Sequence, residues 1–367
     1  MNAPQAVYTL RWLIRDTIRQ ALASGIFWLM LAVTIMCTVV CLSVSIQGDA
    51  PLQEKGDPGL EALPAAYKTK AAEMVASLVG TTMGRHPGIP AWPHLAESLE
   101  YRDVEAALRH KVALVKGEMS FGFGALPAIP ITRGREAAVK TLQYQLAGWV
   151  ADTFGLLLAL VWTAGFLPGF LEPSAVTVLL AKPAPRWALL VGKYLGVLVF
   201  VAFQAALFIG LTWLALGIKT GVWDARYWLC LPLLLLHFAI FFSFSAMIAV
   251  STRSTVACVF GSIFFWLICW LMNFGRHQLA LLPEMASLTG ASGMIVELGY
   301  WMLPKPLDFH FILMQAIGAE TDFVDVLPLP KLIEAGVWMP GLSVAASAIV
   351  GLLMLAGAAY EFVTRDY

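Results

Sequence analysis

Long charge-free runs dominate the pattern of apolar and polar positions along this chain. Six of them occupy residues 20–48, 153–171, 194–218, 227–252, 254–275 and 335–360. A helix needs about 18–20 apolar residues to cross the roughly 30 Å of hydrocarbon in a bilayer. The pattern therefore predicts an all-α polytopic membrane protein. Its six transmembrane helices are expected at residues 23–47, 146–170, 188–218, 227–251, 254–275 and 336–361.

The residues before the first span also have helical periodicity. Apolar side chains recur at Val7, Leu10, Ile14 and Ile18, with basic residues between them. Such a pattern predicts an interfacial helix over residues 1–22 on the cytoplasmic side. A simple basic flank of a membrane anchor is the alternative, and the pattern does not exclude it.

Two segments between spans are too polar to cross a membrane. Residues 48–145 combine two amphipathic helical faces with an alternating stretch from Met119 to Phe123, so we expect a small extracytoplasmic domain of mixed helix and strand. Residues 276–334 are rich in Pro, Gly and aromatic residues. Their apolar stretches at 299–304 and 309–314 predict interfacial or re-entrant helices, because both are too short to span.

Composition and charge agree with a membrane protein. The chain is 59% hydrophobic and 13% charged, and its 24 basic residues balance its 24 acidic residues. A balanced charge gives no reason to expect a nucleic-acid partner. Basic residues collect near those span ends that lie inside if the N-terminus is cytoplasmic: Arg11, Arg15, Arg19, Lys182, Arg186, Lys193, Arg253 and Arg365.

The charge bias predicts a multi-pass protein with both termini in the cytoplasm. The opposite side would hold the acidic residues of 276–334, Glu297 and Asp308 among them. The absence of an N-x-[ST] glycosylation acceptor is typical of a bacterial cytoplasmic (inner) membrane protein.

Motifs for catalysis are missing from the sequence. It contains no G-x-x-x-x-G-K-[ST] phosphate loop, no H-E-x-x-H and no G-x-S-x-G, so we expect no enzyme activity and no ATP hydrolysis by this chain itself. Cys37 and Cys41 share a helix face and could hold a soft metal, but small packing residues are the favoured interpretation. No cofactor or metal site is predicted in the chain.

Ionisable residues inside spans are functional candidates by default, and His237 is the clearest one. A neutral histidine bonded to a neighbouring helix is favoured over a proton relay. We expect Asp152 at the outer interface, and Arg276, His277, Trp266 and Trp270 in an interfacial belt. With no carboxylate inside the spans beyond Asp152 and Glu361 near their ends, a secondary transporter with its own energy coupling is disfavoured.

The segment 171–187 is too short to span and too apolar for an ordinary loop. Glu172 and Pro173 open it, Val176, Leu179 and Leu180 form an apolar stripe, and Lys182-Pro183 closes it. The pattern predicts a short amphipathic helix at the membrane surface, bounded by proline at each end.

With this helix, the order of spans and the Lys182-Pro183-Ala-Pro-Arg186…Gly192-Lys193 run, the chain resembles the ABC-2 type permeases, the membrane subunits of ABC exporters. The likeness is greatest to the branch of nitrous-oxide-reductase maturation permeases. It implies that 171–187 is a coupling helix that docks on a separate ABC ATPase subunit, which would bind the ATP and Mg²⁺. It also implies a dimer with a second permease copy or a paralogue.

The resemblance assigns roles to individual residues. Those implied to face the ATPase are Glu172, Ser174, Val176, Leu179 and Leu180. Those implied to anchor the helix end are Lys182, Pro183, Arg186 and Lys193, with Lys182 and Arg186 at the lipid headgroups. The large segment 48–145 leaves open whether the protein exports a cargo or transmits motion to an extracytoplasmic partner. A non-transporting membrane scaffold or sensor is the alternative.

Overall fold

The computed structural model describes residues 3–47, 118–125, 129–131, 134–171, 186–281, 291–319 and 329–365. The chain divides into two compact units, one formed by Met1–Leu42 with Lys140–Tyr367 and the other by Ser43–Val139. The helices that the structure describes are α1 (Ala3–Ala23), α2 (Gly25–Leu42), α3 (Arg135–Phe170), α4 (Arg186–Thr220), α5 (Ala225–Thr252), α6 (Thr255–Leu281), α7 (Ala291–Met302), α8 (Pro306–Ile317), α9 (Leu329–Glu334) and α10 (Pro340–Thr364).

Five of these helices, α3, α4, α5, α6 and α10, are long and apolar enough to cross a bilayer. A sixth crossing results if the bent pair Ile14–Ala23 and Phe27–Leu42, which meet at 72°, forms one span. At the bend Ser24 receives a hydrogen bond from the backbone of Phe27, and its Oγ accepts a 2.6 Å bond from Nε1 of Trp162. The predicted helical, multi-span architecture is confirmed for the described residues of the unit formed by Met1–Leu42 and Lys140–Tyr367.

Burial separates a central helix from peripheral ones. Helix α5 is 61% buried over its most apolar stretch, against 22% for α6 and for α10. Each peripheral helix buries one stripe, which in α10 consists of Ser343, Ser347, Gly351, Ala358 and Phe362. The opposite faces carry large exposed apolar side chains such as Phe260, Phe264 and Leu352, as expected where a helix contacts lipid.

Helix α1 packs closely along α4 because one residue at the contact is glycine. A Cβ on Gly196 would lie 2.7 Å from Oγ1 of Thr17 and 3.3 Å from Cα of Ile14. Small residues of this kind let helices approach closely in membranes. The N-terminal helix therefore belongs to the packed helical unit, and Thr17 and Ala21 on it are fully buried.

Helix α3 contains a long irregularity in its middle. From Gln145 to Gly155 the backbone is π-helical, and Oγ1 of Thr153 bonds the carbonyl of Gly148 five residues earlier. The helix already begins at Arg135, so Asp152 lies near its centre. π-Helical turns are rare and occur frequently at functional sites.

Two short helices, α7 and α8, follow α6. Each has 12 residues, which is too few to cross a bilayer. Helix α8 begins at Pro306 and ends at Gly318, whose positive φ of 68° suits a left-handed C-terminal residue. Nearly all of α8 is buried, so it lies inside the helical unit and is not a surface helix.

The second unit has a small antiparallel sheet among its described residues. Strand β1 (Ser45–Gln47) pairs with β2 (Glu118–Ser120), which pairs in turn with β3 (Ile129–Pro130). Nη2 of Arg135 bonds the carbonyl of Ile46 at 3.2 Å. The predicted strand around Met119 is present as β2, whereas a 3₁₀ turn replaces the alternation from Gly122 onwards. Most of the predicted domain 48–145 lies outside the described residues.

Candidate functional site

The proposed coupling helix lies outside the described residues. Those of its predicted site residues that fall there are Glu172, Ser174, Val176, Leu179, Leu180, Lys182 and Pro183. The residues on either side are described: Leu171 is fully buried, and Arg186 begins α4. The structure therefore places the points at which this segment joins the helical unit.

Arg186 contacts the C-terminal end of α10. Its Nη1 donates to the carbonyls of Arg365 at 3.0 Å and Val363 at 3.4 Å. Nη1 of Arg365 in turn donates to the carbonyls of Val250 and Ser251 at the end of α5, both at 2.9 Å. Capping of helix C-terminal carbonyls by arginine is favourable, because those carbonyls lack partners within the helix.

Glu361 completes this set of contacts. Its carboxylate pairs with Arg365 at 3.1 Å and accepts a 2.7 Å hydrogen bond from Oγ of Ser251. We call these residues, Arg186, Ser251, Glu361 and Arg365, the Arg365 network. It joins the start of α4 to the ends of α5 and α10.

Lys193 lies about two turns further along α4 and is almost completely buried. Its Nζ donates to Oε1 of Gln20 at 2.6 Å and lies 3.5 Å from Oδ2 of Asp16, both on α1. The interactions with Asp16 and Gln20 offset the loss of water around the ammonium group. Lys193 thus contacts the N-terminal helix.

Asp152 and His237 form a buried pair between α3 and α5. Oδ1 of Asp152 lies 2.6 Å from Nδ1 of His237, and the two side chains are 3% and 1% exposed. The predicted bond from His237 to a neighbouring helix is confirmed. Asp152 is buried in protein within the π-helical segment of α3, where it contacts α5. Its expected position at the outer interface stays a prediction.

His310 on α8 lies next to this pair. Its ring makes edge contacts with Tyr144 at 5.1 Å and Trp149 at 5.0 Å, and the neighbouring Phe309 stacks on His237 at 4.6 Å. A Cβ on Gly148 would lie 2.5 Å from Cε1 of His310, so only glycine fits there. Burial lowers the pKa of His310, which favours its neutral form.

A cavity of about 280 Å³ opens beside these residues. It lies between α3, α6 and α8, all within the helical unit. Its polar lining comes from Gln145, Asp152, Thr153 and His310. The rest of its lining consists of Tyr144, Trp149, Trp266, Leu267, Trp270, Pro306, Leu307, Phe311 and Met314.

A second carboxylate, Asp308, is the centre of a hydrogen-bond cluster at the start of α8. Its four donors are Nε2 of His277 at 2.6 Å, Nδ2 of Asn273 at 2.9 Å, the Tyr300 hydroxyl at 2.7 Å and Oγ of Ser343 at 2.5 Å. Oδ1 of Asn273 accepts from the backbone N–H groups of Leu307 and Asp308. The cluster fixes α8 to α6, α7 and α10.

Burial and these hydrogen bonds change the pKa values of the two charged residues at this cluster, Asp308 and Lys305. Burial alone would raise the pKa of Asp308, but the hydrogen bonds from His277, Ser343 and Asn273 lower it below its ordinary value. Burial lowers the pKa of nearby Lys305 to about 8, although the charge of Asp308 opposes that change. Nζ of Lys305 donates to the Leu303 carbonyl at 3.2 Å and lies 4.8 Å from the Tyr300 ring centre.

Sequence reasoning placed three of these residues differently. His277 was expected in an interfacial belt with Arg276 and is fully buried, and Asp308 was counted among the acids of an outside segment. Asp152 was expected at the outer end of its span and is a buried carboxylate near the centre of α3. One signal was present in the sequence: Asn273 and His277 are spaced four apart on the same stripe of α6 as Cys258, Ser262 and Cys269.

Comparison with protein-family models gives one match, to the family described as ABC-2 family transporter protein, over residues 12–290. The match covers more than half of the chain and includes α2, α3, α4, α5 and α6. A search among curated proteins finds no match.

Proposed function

Because the chain belongs to the ABC-2 family of transporter membrane proteins, we propose that it is the permease subunit of an ATP-driven transporter and receives motion from an ATPase through the segment 171–187. Membrane subunits of this family typically lack ATPase activity, and the family implies an ABC ATPase as a separate partner. ATP and Mg²⁺ would then be bound by that partner and not by this chain.

The observation that carries the proposal is the attachment of Arg186 and Lys193. Arg186, near the C-terminal end of the coupling segment, bonds the end of α10, while Lys193 bonds Gln20 on α1. A displacement applied to residues 172–185 would therefore reach α4 together with α1, α5 and α10, because the Arg365 network and Lys193 connect them. Such a connection suits a lever that moves several helices as one body.

The apolar stripe of Val176, Leu179 and Leu180 supports a docking role, since an amphipathic helix offers one face to a groove on a partner. Glu172 and Ser174 would lie at the edge of that contact. Lys182 and Pro183 would end the helix before Arg186. Leu171, buried at the other end, gives the segment a second fixed point.

Further parts of the proposal rest on the sequence. We place the protein in a bacterial cytoplasmic membrane with both termini inside, paired with a second copy or a paralogue. Residues 48–145 and 276–334 would then face the extracytoplasmic side, where a partner protein could bind. The order of spans favours the branch of nitrous-oxide-reductase maturation permeases, in which the protein would export a cargo or transmit motion outward.

Affinity purification from mild detergent tests the central step. We expect an ATPase that carries a phosphate-binding loop to copurify with the wild-type protein, and Glu172→Arg to reduce its recovery at least several-fold. Glu334→Arg is the matched control, because Glu334 is an exposed acid on α9 that the proposal places on the other side of the membrane. Absence of any ATPase would favour the scaffold or sensor, and equal recovery with Glu172→Arg would remove 171–187 from the interface.

A further inference from the structure

The cavity beside Asp152 has a composition that points to a particular kind of ligand. Three tryptophans, Trp149, Trp266 and Trp270, line it together with Tyr144. Aromatic faces carry negative electrostatic potential and attract cations, and cages of several rings recognise quaternary ammonium groups. The rings alone would suit any apolar ligand. The charge of the cavity therefore decides whether a cationic ligand is favoured over a neutral one.

The charge comes from Asp152. Nδ1 of His237 is hydrogen-bonded to Oδ1 of this carboxylate. Among the described residues no hydrogen bond is made to Oδ2 of Asp152. Nε2 of His237 is buried without a hydrogen-bond partner among those same residues. A protonated imidazole would bury a second N–H without an acceptor, which is costly, so the neutral form with its proton on Nδ1 is favoured.

A neutral His237 leaves Asp152 as a buried anion with a single donor. No lysine or arginine is among the residues that form the cavity wall. Burial lowers the pKa of His310, the other ionisable group there besides Tyr144, which favours its neutral form. The cavity is therefore negative, largely aromatic and short of a positive partner.

The backbone around Asp152 is built in an unusual way. The π-helical segment Gln145–Gly155 supplies four residues of the wall, Gln145, Trp149, Asp152 and Thr153. All four lie on the side of α3 that faces the cavity. π-Helical turns occur frequently at functional sites, which agrees with a binding role for this wall.

We propose that this cavity binds an ammonium group attached to an apolar body, with Asp152 as its counter-ion and the tryptophans as its cage. At about 280 Å³ the cavity suits a small ligand or the head of a larger one. The source is either a free hydrophobic amine or the headgroup of an amine-bearing lipid. That this ligand is also the transported cargo rests on the proposed function, whereas the binding itself does not.

A second cavity in the same unit provides an internal contrast. It has about 190 Å³ and is lined by apolar residues with Thr34 and Gln204, without a charged side chain. Gln204 already donates to Oγ1 of Thr34 at 3.2 Å. This cavity should therefore not discriminate between a cation and a neutral molecule of the same shape.

Binding of two isosteric probes to the purified full-length protein tests the proposal. Benzyltrimethylammonium carries the charge, and neopentylbenzene has carbon in place of its nitrogen. In nanodiscs of phosphatidylglycerol, followed by tryptophan fluorescence, we expect the cation to bind at least about tenfold more tightly than the neutral probe. Equal affinities, or no saturable binding of the cation, would overturn the proposal.

Variants identify the site. Asp152→Asn should weaken binding of the cation about tenfold and leave neopentylbenzene unchanged, and Gln204→Leu should alter neither. Trp270→Leu, compared with Trp228→Leu outside both cavities, should weaken the cation roughly three- to tenfold, which keeps the test decisive if Asp152→Asn does not fold. Unchanged cation affinity in Trp270→Leu and in folded Asp152→Asn would contradict the assignment.

The lipid of the nanodisc distinguishes the two sources. If phosphatidylethanolamine competes with benzyltrimethylammonium, the site takes a lipid headgroup; if it does not compete, the site takes a free amine, and both results retain an ammonium site. The measurement needs no ATPase. Failure here would therefore leave the copurification result intact, and failure of copurification would leave the binding result intact.

Discussion

Oδ1 of Asp152 on α3 lies 2.6 Å from Nδ1 of His237 on α5, and both side chains are buried. This contact joins the π-helical middle of one span to the most deeply buried span of the protein. A carboxylate in such a place is costly unless it is paired. The pair therefore contributes to holding α3 against α5 and also sets the charge of the adjacent cavity.

Removal of His237 alone should destabilise the protein more than removal of both His237 and Asp152. His237→Phe retains a ring that can stack on Phe309 but leaves Asp152 without its donor, so we expect a loss of about 3 kcal/mol in the free energy of unfolding. Asp152→Ala should cost roughly 1–3 kcal/mol. Unfolding in mixed micelles measures both, and a double variant that costs the full sum would show that the pair is not coupled.

Gly148 should not tolerate even a methyl group. In Gly148→Ala the new Cβ would meet Cε1 of His310 at 2.5 Å, and α3 and α8 would have to separate, so we expect a loss of roughly 1–3 kcal/mol. Gly357→Ala on α10 is the control, since nothing lies within 4 Å of its Cβ position and alanine favours a helix. Equal stability of the two variants would contradict the packing of α8 against α3.

Lys305 should make stability rise with pH. Its pKa is about 8 in the folded protein, against 10.5 for an ordinary lysine, because burial disfavours the charge. Between these values the unfolded chain binds more protons than the folded one, so the stability penalty is complete below pH 8 and is relieved as the pH approaches 10.5.

Lys305→Met removes this titration and serves as the reference. The free energy of unfolding of the wild-type protein should rise relative to Lys305→Met between pH 8 and pH 10.5, by at most about 3 kcal/mol. Melting curves of both proteins in detergent at several pH values check this. If the difference in free energy of unfolding between the two proteins stays constant over this pH range, burial does not lower the pKa of Lys305 in the folded protein.

Lys193 should hold α1 against α4. Spin labels at the exposed positions Arg15 and Trp187 report the distance between these helices. We expect a narrow distance distribution in the wild-type protein and a broader one in Lys193→Met, which loses the bonds to Gln20 and Asp16. Lys219→Met, at the opposite end of α4, should leave the distribution unchanged; equal broadening in both would deny Lys193 a linking role.

The spans could be predicted from sequence because a long run without charge has few alternatives to a transmembrane helix. The site could not. Asp152 and His237 are 85 residues apart, and His277 and Asp308 are 31 apart, so nothing local indicates that they meet. The π-helical segment around Asp152 has no sequence signature, and Asp308 looks like an ordinary flanking acid until α8 is placed inside the bundle.

Crosslinking from the segment 171–187 tests directly whether it is the contact with an ATPase. Single cysteines at Leu179 and at Ile333 can each carry a thiol-reactive photocrosslinker in intact membranes, since the five native cysteines are buried. Ile333 is the control, being half exposed on α9. We expect a product from position 179, and none from 333, that contains a protein with a phosphate-binding loop. The absence of such a product from position 179, or an equal yield from position 333, would contradict the assignment of 171–187 as the site of ATPase coupling.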